Sequence, residues 1–146
     1  MGLTLNLKNK QKRISLNQKG VRKIILAAFK NEKVRKPARI GLLFTGDKEI
    51  KELNLRYLGE NFPTDVIAFD ISESKKKILA DIAISADTAA RNAKIYQTSP
   101  LYELYLYVAH AILHILGYND NTKVKQRIMQ AKTEKILKCL SKKPKP

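Results

Sequence analysis

Cysteine is almost absent from this chain. The single Cys139, in the segment ILKCL, excludes a disulfide framework and a cysteine-based metal centre, and it reads as a small buried residue of a helix. Long apolar runs are missing too. The longest, Leu101–Leu116, carries Glu103 and two histidines; it is too short and too polar to span a bilayer and reads as a buried helix. The opening MGLTLNLKNKQKRIS lacks the apolar core of a secretory signal, so the expectation is a soluble, cytoplasmic protein. Acid is scarce: 13 Asp and Glu stand against 29 Lys and Arg, a net charge of +16 and a pI near 10.0. So positive a surface attracts polyanions, phosphate backbones above all. The alternative is a lysine-rich surface that serves only solvation.

What is present alternates between two periodicities. LTLNLK (Leu3–Lys8) alternates apolar and polar as a strand does. VRKIILAAF follows Asn17, a plausible cap, with helical apolar spacing. Pro37 interrupts, and ARIGLLF (Ala38–Phe44) reads as a second strand. Thr45-Gly46-Asp47 offers a cap for the helix KEIKELNLRYL, which Gly59 ends. DVIAFDI (Asp65–Ile71) and ILADIAIS (Ile78–Ser85) are β-branched strands flanking a polar loop. Ala86–Tyr96 reads as an Ala-rich helix and Thr122–Leu140 as a final amphipathic helix with a basic face. The fold expected is one α+β domain over residues 1–141, a mixed sheet of about four strands in one layer and about five helices in the other. A disordered basic tail, residues 142–146, should follow it.

Only two histidines occur, and they lie four residues apart in YVAHAILHILGYNDN (Tyr107–Asn121). On a helix, positions i and i+4 stand one above the other with Cβ atoms about 6 Å apart, so both imidazoles can converge on one metal ion. Gly117 should break the helix after His114 and turn the chain back, bringing Asp120 as a third ligand. The structural alternative has two partly buried histidines bonded to backbone carbonyls beside an unrelated turn. The residue after His110 is Ala111, where the zinc peptidase motif HExxH has its general base, which argues against a peptidase of that type.

HAILHILGYND resembles the HGxLHLxGYDH signature of the YbeY endoribonucleases, single-domain metalloproteins. PTDVIAFD (Pro63–Asp70) is similar to that family's PTDVLSFP, ADIAIS (Ala80–Ser85) to its GDIxIS strand, and LNLRYLGEN to its LNxxYRGxD stretch. The resemblance covers most of Asn54–Asn121 in order and spacing. It implies an α+β fold, one zinc ion per chain held by three side chains, and cleavage of single-stranded RNA, with a role in maturation of small-subunit ribosomal RNA and in ribosome quality control. Carried onto this chain, the metal ligands are His110, His114 and Asp120.

Three positions depart from the family pattern. Asp120 stands where the family has its third histidine, preceded by Asn119 instead of Asp; two imidazoles and a carboxylate still form an acceptable zinc site. Ala111 replaces a glycine, with little consequence. Leu58 occupies the position of the family's arginine; Arg56 is the candidate to replace it, although two residues along a helix is about 200° round the axis. Arg56 and Asp81 are therefore the expected catalytic residues, Asp81 or Asp65 orienting water or a ligand imidazole, with turn capping the plainer role for Asp65. The basic clusters Lys8–Arg13, Lys33–Lys36 and Lys75–Lys77 would hold RNA through its backbone; few aromatics lie among them, so base stacking is poorly supported. Two rival functions are a non-catalytic RNA- or ribosome-binding protein with a structural zinc, and a metal-dependent hydrolase of another substrate. A structural zinc normally has four protein ligands, and only three are found here.

Overall fold

A computed structural model describes residues 2–140 of the chain. The expected basic tail, 142–146, lies outside the described residues. Four strands and five helices follow one another as β1 (Leu3–Asn9), α1 (Gln18–Asn31), β2 (Ala38–Thr45), α2 (Asp47–Leu58), β3 (Val66–Asp70), β4 (Ile78–Ser85), α3 (Ala86–Tyr96), α4 (Pro100–Ile115) and α5 (Lys123–Leu137), with a short 3-10 turn at Lys138–Leu140.

The sheet is mixed, in the order β1-β2-β4-β3. β1 and β4 each lie parallel to β2, while β3 folds back antiparallel on β4 through the polar loop the sequence marks. The alternation of side chains assigns the two faces. Leu5, Ile40, Leu42, Ile82 and Ile84 point into the main core, where they meet Ile24 and Ile25 of α1 and Leu104, Val108 and Ile112 of α4. Each fully buried side chain of that size contributes about 1.5–3 kcal/mol. The opposite face carries Leu43, Ile67, Phe69 and Ala83, which α2 covers with Ile50 and Leu53. Helices thus flank both faces, which differs from the expected arrangement of one layer on the other. The physical reason is that Leu43, Ile67 and Ala83 are apolar on the second face as well and need their own cover.

Four of the five helices start where the sequence has a capping residue. Asn17, Ser85, Ser99 and Thr122 each accept from the backbone N–H three residues on, at 2.8–3.1 Å, each cap worth about 1 kcal/mol. α2 is different, because no side chain of Thr45-Gly46-Asp47 caps it. Instead Asp87 Oδ2, from the first turn of α3, accepts from the Asp47 N–H at 2.9 Å. Asp47 reciprocates by accepting from Ser85 Oγ at 2.7 Å, Thr88 Oγ1 at 2.9 Å and Arg91 Nη1 at 2.6 Å. A Cβ on Gly46 would lie 2.7 Å from Asp87 Oδ2 and would displace that carboxylate from the Asp47 N–H. Burial would raise the Asp47 carboxyl; these donors outweigh it and hold it below its ordinary value.

α4 is the central helix. It packs on β3 and β4 and against α1, α3 and α5. Ser99-Pro100 starts it, proline being pre-set for the first helical turn. Its buried Glu103 accepts from Thr98 Oγ1 at 2.6 Å, which satisfies a carboxylate otherwise costly in the core. Among the described residues no helix is long and apolar enough to cross a membrane.

Candidate metal centre

His110 and His114 stand on the last two turns of α4, on the side that faces β3. Their ring centroids are 4.8 Å apart and the rings are inclined by 66°. The helix ends at Ile115, and Gly117, at φ +107°, reverses the chain. That conformation is open to glycine and strained for other residues. The reversal is fastened by the Gly117 N–H to His114 O and the Tyr118 N–H to Leu113 O, each at 3.0 Å. Asn119 Oδ1 then accepts from the Asn121 N–H at 3.1 Å, and the Asp120 carbonyl accepts from Gln126 Nε2 at 3.1 Å. The two turns present the Asp120 carboxylate to the imidazoles.

One ligand atom from each of His110, His114 and Asp120 lies within 4.8 Å of the others. A tetrahedral zinc ion, bonded at about 2.0–2.2 Å, needs ligand atoms about 3.4 Å apart. The three ligand atoms would have to draw together by at most about 1.4 Å, and Asp120, the exposed member of the set, has no packed neighbours to displace on the solvent side. The protonation state suits it as well. Burial, and then the neighbouring His114, hold His110 below its ordinary value, against the opposing pull of Asp65 and Asp120. His110 is therefore neutral at physiological pH, the form that carries a lone pair for a metal. The donor set fits a divalent ion of the zinc type, and it leaves a coordination position for water or substrate.

Beside the histidines runs a cleft of about 340 Å³ between α4 and β3, walled by Leu58, Asp65, Asp70 and the two imidazoles among others. Two carboxylates line it, Asp65 and Asp70, and of these Asp65 is the one whose charge acts on His110. Its Oδ1 accepts from the Val66 N–H at 2.7 Å and from Thr64 Oγ1 at 3.1 Å, so it does hold its turn, as the sequence suggested. Its field also acts on His110 and on Tyr107, one turn earlier on α4. Burial pushes the Tyr107 hydroxyl up to about 12, against the hydrogen bond it accepts from Asn92 Nδ2 at 2.7 Å, so the phenol stays protonated.

The other two expected site residues are not brought to the histidines. Asp81 lies on the face of β4 that α2 covers: it pairs with Phe69 and Gly41 across the sheet, and a Cβ on Gly41 would lie 2.6 Å from its Oδ1. Ala80 and Ile82 take the side facing α4, and strand alternation sends Asp81 the other way. It lines a separate hollow with Lys8 and Tyr57. Arg56 is exposed on the last turn of α2, its guanidinium carbon 5.9 Å from the ring centroid of Tyr57. Leu58, and not Arg56, forms a wall of the histidine cleft. The helical offset of about 200° accounts for the difference.

Comparison with known proteins identifies the family. A family model described as endoribonuclease YbeY matches residues 6–141. A Syntrophus aciditrophicus protein named endoribonuclease YbeY is 36% identical over 143 residues, covering 93% of this chain and 89% of that protein. One of the same name from Desulforamulus reducens is 34% identical over 143 residues, covering 90% and 94%. In fold, a solution structure of a Thermotoga maritima protein superposes with a TM-score of 0.59 at 21% identity, over 92% of this chain and 89% of that one.

Proposed function

The chain belongs to the endoribonuclease YbeY family, and from that premise we propose that it is a zinc-dependent endoribonuclease that cuts single-stranded RNA phosphodiester bonds at the His110–His114–Asp120 centre. The convergence of those three donors beside an open cleft carries this reading.

His110 and His114 would offer two imidazole nitrogens from one helix, and Asp120 would close the set with a carboxylate oxygen. A divalent ion held there supplies Lewis-acid polarisation of a phosphoryl oxygen and a more acidic water. Asp65 is the cleft carboxylate at hand to orient a proton, since only its Oδ1 is engaged by the turn among the described residues. Of the two residues the sequence offered for that role, Asp81 and Asp65, Asp65 is the one beside the histidines. The scissile phosphate enters past Leu58, without an arginine among the cleft walls. The charge compensation an arginine would give would have to come from a bound ion and from lysines further along the surface.

In the cell the substrate class is ribosomal RNA, chiefly precursors of the small-subunit RNA, and the partners are the small subunit and its RNA. The loss of the arginine position favours a second reading, an RNA-binding protein that retains its metal without cutting.

One assay separates them. Metal-loaded protein is incubated with end-labelled single-stranded and duplex RNA, with and without a chelator, beside His114→Ala. Cleavage of the single strand that chelation abolishes and zinc restores is expected. Tight RNA binding with no cleavage at any metal loading establishes the second reading. Cleavage that survives in His114→Ala refutes the metal centre.

A further inference from the structure

We propose that the RNA strand leaves the metal centre in one direction, along a groove at the end of the sheet where β2 and β4 begin, its phosphates held by Lys36, Lys75 and Lys77 and then by Arg35 and Lys33. The inference rests on the nuclease reading only for the nature of the ligand; the groove is defined by the fold.

Three surface hollows share walls. The histidine cleft, about 340 Å³, shares Asp70 and Ile115 with a hollow of about 390 Å³ that Lys36, Lys75 and Lys77 line. That second hollow shares Lys36, Ile78 and Leu116 with a third, of about 430 Å³, lined by Lys33 and Arg35. Ile115, at the end of α4, and the residues just after it, Leu116 to Tyr118, line the three in turn.

Strand register brings the two basic runs together. β2 and β4 are parallel with Ala38 beside Ile78, and the Ile78 N–H donates to Pro37 O at 3.0 Å. Lys33–Lys36 and Lys75–Lys77, some forty residues apart in sequence, therefore enter the sheet side by side. The third run, Lys8–Arg13, starts in the last residues of β1, which is parallel to β2; the Lys10 N–H donates to Phe44 O at 2.8 Å, at the opposite end of the sheet. Geometry thus divides three similar clusters into two that adjoin the cleft and one that does not.

Charge pairing points the same way in part: among the described residues, two of the four far-end cations are paired and Lys8 and Lys12 are not. Lys10 is bonded to Glu49 at 3.3 Å and Arg13 to Asp87 at 3.1 Å. Among the described residues, Lys33, Arg35, Lys36, Lys75 and Lys77 make no ion pair. The acids nearby are already engaged or outnumbered: Glu32 is bonded to Lys132 and Tyr118, Asp70 accepts from the Ser72 N–H, and Glu73 remains. Lys33 adopts φ +56°, a left-handed conformation at a helix end where glycine is usual. Unpaired, closely spaced cations along a groove suit a backbone of regularly repeating phosphates, whose binding releases counterions.

The test is fluorescence anisotropy of the full chain with a labelled 2′-O-methyl RNA 12-mer, titrated across salt. Lys36→Gln/Lys75→Gln/Lys77→Gln is compared with Lys8→Gln/Lys10→Gln/Lys12→Gln, an equal change of charge at the far end. At about 0.7 per phosphate contact, the groove variant should flatten the slope of log K against log salt by about 2 and weaken binding at least tenfold at moderate salt. The far-end variant should stay within about threefold of the parent. Equal losses in both variants, or none in either, overturn the proposal. A polyglutamate peptide that binds the same lysines as tightly as the RNA overturns the assignment to a phosphate backbone. Groove-dependent binding by a protein that cuts no RNA leaves the groove standing and removes only the nuclease reading.

Discussion

The Tyr118 hydroxyl donates to Glu32 Oε1 at 2.5 Å, joining the loop that presents Asp120 to the C-terminal end of α1. Lys132 of α5 completes the contact: its ammonium is 2.9 Å from Glu32 Oε2 and 5.0 Å from the centroid of the Tyr118 ring. Three elements distant in sequence thereby fix the loop after α4. Tyr118 is placed to position Asp120, the proposed ligand two places on.

Tyr118→Phe keeps the ring and removes the donor. It should cost about 1–2 kcal/mol in denaturant unfolding, the usual worth of a hydrogen bond to a charged group with one partner retained. Zinc affinity should fall several-fold while the far-ultraviolet spectrum stays unchanged. Unaltered zinc affinity would show that the loop holds Asp120 without this contact.

Glu32 gives the contact a pH dependence. Burial alone would raise its carboxyl, but the Tyr118 hydroxyl and the Lys132 ammonium prevail and hold it below the ordinary 4.5. A carboxyl lowered on folding stabilises fully above its unfolded value, and that contribution is lost as pH falls through the lower folded value. Acid titration of stability should therefore be shallower below pH 4.5 in Glu32→Gln than in the parent. Identical acid limbs for the two proteins would place the stabilisation elsewhere.

The ligand set predicts a graded response in metal content. The purified chain should carry about one zinc, and His114→Ala should carry almost none, because two remaining donors hold the ion poorly. Asp120→Ala should lose affinity by a large factor, and Asp120→His should keep a stoichiometric ion, as a third imidazole replaces the carboxylate. Elemental analysis after dialysis reads all three. Full zinc in Asp120→Ala would reduce Asp120 to a turn residue.

Lys33 combines strain with charge. Its φ of +56° follows the end of α1, where the Val34 N–H closes on Phe29 O at 2.9 Å. Lys33→Gly should relieve the strain and stabilise the protein by about 1 kcal/mol, raising Tm by about 3 °C. The same change removes a groove cation, so RNA affinity should fall as stability rises. Calorimetry and anisotropy on one preparation would detect the opposed signs, and a parallel loss of both would show that Lys33 is held for folding alone.

Much of this protein was legible in its sequence because the signals are local. Asn17 caps its helix through a bond spanning three residues, as the sequence suggests, and alternation in LTLNLK and β-branched residues in ILADIAIS mark strands without reference to partners. The cap expected from Thr45-Gly46-Asp47 is instead supplied by Asp87, which no local pattern contains. The pair His110–His114 needs only helical pitch to converge, and Gly117 only its own backbone freedom to return the chain to Asp120. Those residues carried both the candidate centre and the family resemblance.

What the tertiary structure decided is which surface each remaining residue faces. Alternation puts Asp81 opposite Ala80 and Ile82, but only the packing of α4 on one face and α2 on the other separates it from the histidines and leaves Asp65 beside them. Leu58 takes the cleft wall in place of Arg56 because α2 docks with one side toward the sheet. The three basic clusters look alike in sequence; parallel pairing of β1, β2 and β4 sends one to the far end and gathers two beside the centre. Facing and adjacency are set by contacts between segments tens of residues apart, and no local pattern contains them.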